Sequence, residues 1–105
     1  MFFSKKEYEN SNLNMIDFLP VGTVIKIKGE EGLYIILDYC GFKKIEKNKF
    51  KEIDYHCWKY PFGTYDDESY KEINYTDIEE IIFKGYDGEK RREMLRIIDE
   101  GGYRR

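Results

Sequence analysis

Between Leu19 and Leu37 the chain reads LPVGTVIKIKGEEGLYIIL, with apolar and polar side chains alternating along it. Thr23, Ile25 and Ile27 fall on one side and Lys26 and Lys28 on the other, the period of two of a half-buried strand. Gly29-Glu30-Glu31-Gly32 predicts a turn, with glycine at each end able to take positive φ. Leu33, Ile35 and Leu37 resume the alternation toward the same interior, so this stretch reads as the hairpin that receives everything after it. Asp38 to Phe42 is expected to carry the pairing past Gly41 through a bulge.

Downstream, Lys43 to Lys49 reads as a charged connection. Phe50 to Tyr60 is a third strand, with Ile53, Tyr55 and Cys57 on one face and Asp54, His56 and Trp58 on the other. Trp58 on that second face suggests that it too is covered. Pro61 to Thr64 is a turn, Tyr65 to Ser69 an exposed acidic loop, and Tyr70 to Tyr75 a short fourth strand. Thr76 and Glu79 have capping-box spacing for a single helical turn before a fifth strand at Glu80 to Tyr86. Asp87 is placed to cap a helix at about residues 88–100, with an apolar stripe of Met94, Leu95 and Ile98 and with Ile97 beside it. Gly101-Gly102 stops that helix. Residues 1–18 form an N-terminal arm, loose or a short helix, in which Phe2, Phe3 and Tyr8 have the chance to dock; Pro20 launches the first strand. The expected fold class is α+β, mainly β. It is an antiparallel meander of about five short strands in a partly open SH3-like barrel or roll, with one C-terminal helix. A flat antiparallel sheet packed on the helix is the alternative. Residues 19–102 form the single β-rich domain.

Composition narrows the possibilities. A chain of 105 residues supports one modest core, and 41% hydrophobic with 37% charged residues marks a globular protein rather than a disordered one. The net charge is −3, with acids and bases interleaved. Nucleic-acid binders concentrate Lys and Arg on one face, so the runs Lys43 to Lys51 and Lys90 to Arg92 read as solvated faces and no nucleic acid is expected. No segment approaches a membrane span, and residues 1–14 lack the apolar core of a signal peptide. The expectation is a cytoplasmic protein with no membrane partner, whose Cys40 and Cys57 stay reduced as small fillers.

Candidate chemistry is sparse. His56 is the single histidine, and with Cys40 and Cys57 it falls short of a zinc ligand set. Cys57 and His56 are strand neighbours that point to opposite faces, which leaves only Cys40 with His56 as a nucleophile pair. The bland reading of His56 is an exposed polar position on a sheet. Asp66-Asp67-Glu68 reads as a solvated loop, and Gly85-Tyr86-Asp87-Gly88 is too poor in glycine to cradle a phosphate. No catalytic residue, metal or cofactor is assigned. The aromatic cluster Trp58, Tyr60, Phe62 and Tyr65 around Pro61 either closes the edge of the barrel or offers a protein- or peptide-binding surface. An open strand edge would also permit a homodimer.

Three stretches, LPVGTVIKIKG at 19–29, DYHCWKYPFG at 54–63 and NYTDIEEIIFKGYDGE at 74–89, resemble in order and spacing a family of small Gram-positive bacterial proteins known as a domain of unknown function. The resemblance covers about residues 19–98. Genes of that family often lie near type VII (ESX-like) secretion loci and their LXG toxins, and the family has no established catalytic residues. The resemblance therefore implies a non-enzymatic accessory, targeting or chaperone-like factor whose partner is an LXG-type toxin or another secretion accessory protein. An immunity protein that neutralises a cognate toxin is the alternative, for which the acidic stretch Asp66 to Glu68 with Glu72 would suit a basic toxin.

Overall fold

The computed structural model describes residues 6–65 and 67–101, and of Ile16 and Asp67 the backbone only. Phe2, Phe3, Asp66 and the tail from Gly102 onward lie outside the described residues. The chain is mainly β with one C-terminal helix. Its strands are β1 Glu7–Glu9, β2 Val24–Ile27, β3 Tyr34–Glu46, β4 Lys49–Lys59, β5 Lys71–Ile73 and β6 Ile78–Phe83, followed by α1 Glu89–Glu100. All six join one sheet in the order β1-β4-β3-β2-β6, with β5 also on β4. Strands β2 to β5 pair antiparallel in sequence, as the meander requires, and β6 returns to pair antiparallel with β2. Strand β1 runs parallel to β4, which makes the sheet mixed. Among the described residues nothing pairs β5 with β6, so the sheet stays open.

Several local expectations are corrected. The arm is neither loose nor helical at residues 7–9: the short segment EYE is extended and borders the start of β4. Met15–Asp17 then makes one 3-10 turn. The run Lys43 to Lys49 is no connection but the tip of the β3–β4 hairpin. Strand β3 continues to Glu46, and the chain reverses at Lys47-Asn48 with Asn48 at φ 63°. Asparagine tolerates that left-handed conformation, and the flanking charges stay solvated, Lys49 lying 2.9 Å from Glu46. Pairing does pass Gly41, but the extra residues sit at Leu37 and Ile45, where the register shifts. The helical turn is capped by Asn74 and Asp77 rather than Thr76 and Glu79, Asp77 accepting the Asn74 N–H at 2.8 Å. At α1 the N-cap is Gly88; Asp87 instead accepts from Arg91 at 2.9 Å, one helical turn on.

The second hairpin strand also packs in the opposite phase. Ile25 pairs with Tyr34, and the core takes Tyr34 and Ile36, not Leu33, Ile35 and Leu37. Every residue from Leu33 to Leu37 is apolar, so alternation alone fits either phase; the length of the glycine-bounded turn chooses. Gly29 and Gly32 take φ 79° and 80° there.

One face of the sheet, the inner face, carries the core. Ile25, Ile27, Tyr34, Ile36, Tyr55, Cys57 and Ile73 pack under Met15, Phe18 and Leu19 and under Leu95 of α1. The helical stripe is narrower than expected, since Met94 and Ile97 are exposed. The approach to β2 is fixed by two tyrosines: Leu19 donates its N–H to the Tyr55 hydroxyl at 3.0 Å, and Tyr39 donates its hydroxyl to the Leu19 carbonyl at 2.6 Å. Asn74 ties the β5–β6 connection to β4 by accepting the Asp54 N–H at 2.9 Å and donating to the Glu52 carbonyl at 3.0 Å. Buried Asp54 accepts the Tyr75 N–H at 2.8 Å.

Candidate interaction surface

Because strand side chains alternate, the residues between Tyr55, Cys57 and Lys59 must face away from the core. His56 and Trp58 do so on β4, and the register sets Asp38 beside His56 and Ile35 beside Trp58. Val24 pairs with both Ile35 and Phe83, which extends this outer face across β2 to β6. Gly22, Val24, Leu33, Ile35, Tyr60, Ile82 and Phe83 line a shallow, mainly apolar groove on it. Phe83 is 63% exposed and Tyr60 49%, large values for aromatic rings, with none of the described residues covering them.

Next to the groove lies a second depression formed by Asp38, His56, Trp58 and Tyr70. The Trp58 and Tyr70 ring centres are 4.7 Å apart, and the His56 ring stacks on Tyr70 at 5.8 Å with planes 11° apart. His56 is therefore not the exposed polar residue expected from the sequence. It is half-buried, and both ring nitrogens are engaged, Nε2 with the Cys40 carbonyl and Nδ1 with the Tyr70 hydroxyl. A carbonyl only accepts, so Nε2 donates to Cys40, while Nδ1 shares a hydrogen bond with the Tyr70 hydroxyl, which also meets the Glu72 carboxylate. Burial, and then the nearby Glu72 carboxylate, raise the Tyr70 pKa, which keeps that hydroxyl a donor. Gly41 permits the arrangement: a Cβ there would lie 3.2 Å from His56 Nε2. Cys40 thus meets the imidazole through its carbonyl, while its sulfur lies 3.7 Å from that of Met15.

The four aromatic residues singled out in the sequence separate into two pairs. Trp58 and Tyr60 belong to the outer face, Trp58 in the depression and Tyr60 in the groove. Phe62 and Tyr65, 56% and 93% exposed, stand on the loop that follows the cis Tyr60–Pro61 bond. Leu33, Ile35, Tyr70, Ile82 and Phe83 complete the surface and were not visible as a group, because their grouping depends on register and on the return of β6 to β2.

Other chemistry is thin among the described residues. No three His, Cys, Asp or Glu side chains come together as metal ligands would, and no helix is long and apolar enough to cross a membrane. Burial pushes the Cys57 thiol up to about 12, so it is held protonated inside the core.

The residues of the three motif stretches converge at Leu19 to Thr23. Tyr55 holds Leu19, and Gly85 donates its N–H to buried Thr23 Oγ1 at 3.0 Å. A family model described as Domain of unknown function (DUF4176) matches residues 18–94, most of the chain. The chain belongs to the DUF4176 family. Comparison with curated proteins and with solved structures gives no match. In this DUF4176 chain the motif residues Asp54, Tyr55, Asn74, Asp77 and Gly85 hold strands and loops together.

Proposed function

We propose that this DUF4176 chain is a non-enzymatic protein-interaction module, an accessory, targeting or chaperone-like factor for a type VII secretion toxin, acting in the cytoplasm. Its partner, an LXG-type toxin or another secretion accessory protein, docks on the outer sheet face around Trp58 and Tyr60. The observation that carries this reading is the continuous apolar and aromatic strip over β2, β3, β4 and β6, open to solvent on a sheet whose other face already holds the core. Trp and Tyr set in desolvatable pockets are the side chains that dominate protein interfaces. The secretion setting comes from the motif resemblance. The test is co-expression with the products of the neighbouring genes, followed by capture. The chain is expected to retain one of them, and Tyr60→Ala and Trp58→Ala are expected to weaken capture about ten-fold or more while the fold persists. Capture that is indifferent to both substitutions would remove the outer face from the reading. Rescue of growth from the toxin would assign an immunity role to the same face.

A further inference from the structure

Strand β6 ends the sheet. It pairs with β2 on one side, and no described strand lies on the other. The remaining outer strands are short and charged: β1 is the three residues EYE and β5 the three residues KEI. Natural sheets blunt their edges in this way to prevent stray pairing. β6 carries part of that blunting, two glutamates and register shifts against β2 at Glu79 and Ile82, but it is longer and more apolar. It is six residues long, IEEIIF, has no proline, and leaves Ile81, Ile82 and Phe83 exposed at 43%, 44% and 63%.

Its charges are arranged with polarity. Glu79 and Glu80 stand toward its start and Lys84 directly after its end. We propose that β6 pairs antiparallel with β6 of a second copy of this chain, about a two-fold axis near Ile81–Ile82, so that two sheets become one. In that arrangement the acidic half of each strand meets Lys84 of the other, and the contact is made twice. A parallel pairing would set Glu79 and Glu80 against their own equivalents, which repel. Lys84 is available for the contact: its side chain is 61% exposed, and its ion pair with Asp87 is 3.8 Å long. From the β2 side, Lys26 is the register neighbour of Glu80. The two-fold axis stands perpendicular to the sheet, so both outer faces point the same way. Phe83 and Ile82 of the two copies then join two apolar grooves into one. The pairing uses the backbone of β6 and does not rest on the identity of any secretion partner.

The experiment is sedimentation of the purified chain alone over a wide concentration series, with Glu79→Lys/Glu80→Lys, Lys84→Glu, and an equimolar mixture of these two variants. The wild type is expected to dimerise reversibly. Each variant alone faces like charges at both ends of the contact and is expected to associate about ten-fold more weakly. In the mixture opposite charges meet again, and association is expected to return. Circular dichroism on each variant confirms that these exposed substitutions leave the fold intact. A wild type that stays monomeric throughout the series overturns the proposal. So does a dimer that neither variant weakens, or a mixture that associates no better than its components.

Discussion

Replacing Gly85 by alanine tests how the two ends of the domain are joined. A Cβ on Gly85 would lie 2.5 Å from the Val21 carbonyl oxygen, 2.9 Å from the Thr23 nitrogen and 3.0 Å from the Gly22 carbonyl carbon. All three are backbone atoms, so no rotamer change relieves the contact, and overpacking of this kind costs about 1–3 kcal/mol. Movement of the backbone would also stretch the buried 3.0 Å bond from the Gly85 N–H to Thr23 Oγ1, worth about 1 kcal/mol. Against this, Gly85 does not sit at positive φ, so alanine gains about 0.4–1 kcal/mol from a stiffer unfolded chain. The net expectation is a loss of about 2 kcal/mol, roughly 8–16 °C in the unfolding midpoint of a chain this size. Urea unfolding followed by Trp58 fluorescence, from the single tryptophan, measures it directly. Thr23→Val keeps the shape and removes the hydroxyl. Because the two sites touch, its cost and that of Gly85→Ala should fall short of additive when combined. A Gly85→Ala protein as stable as wild type, or more stable, would refute the close packing of β6's end on the start of β2.

Two further outcomes follow from buried groups. Tyr55→Phe strands the buried Leu19 N–H and is expected to cost about 1–3 kcal/mol in the same unfolding assay; no change would mean that Leu19 finds another acceptor. Cys57 has a folded pKa of about 12 against an ordinary 9.0, so the unfolded chain loses its proton first. The folded state keeps that contribution below pH 9.0 and loses it as the pH climbs toward about 12. Buried Tyr55, also raised, adds to the loss above 10.0. The urea midpoint should therefore fall with alkali across that window, and thiol alkylation of the native protein should reach Cys40 before Cys57. A midpoint that is flat or rises above pH 9.0 would contradict the burial of both groups.

The core-facing parts of β2 and β4 and the helix were legible because their side chains keep a period: Thr23-Ile25-Ile27 and Ile53-Tyr55-Cys57 each face the core as the alternation requires. Legibility ended where the local pattern was degenerate. Leu33 to Leu37 is apolar throughout, so the face had to come from the turn and the register. Lys43 to Lys49 looked like a connection because both faces of a projecting hairpin tip are solvated and need no greasy stripe. The partner of Thr23 is Gly85, sixty-two positions away, and no local period encodes such a contact. The same is true of the candidate surface. Trp58 stood out as an apolar residue on a polar face, but its neighbours Ile35 and Tyr70 come from strands and loops that only the folded register brings beside it.

Hydrogen exchange on the chain with and without its captured partner is the most direct measurement of where recognition occurs. Protection is expected to concentrate on residues 33–38 and 56–60, whose outward side chains build the groove and the Trp58–Tyr70 depression. The exposed helical side, with Met94 and Ile97, should exchange as before. Protection confined to α1, with the outer sheet face unchanged, would contradict the assignment of that face as the docking surface.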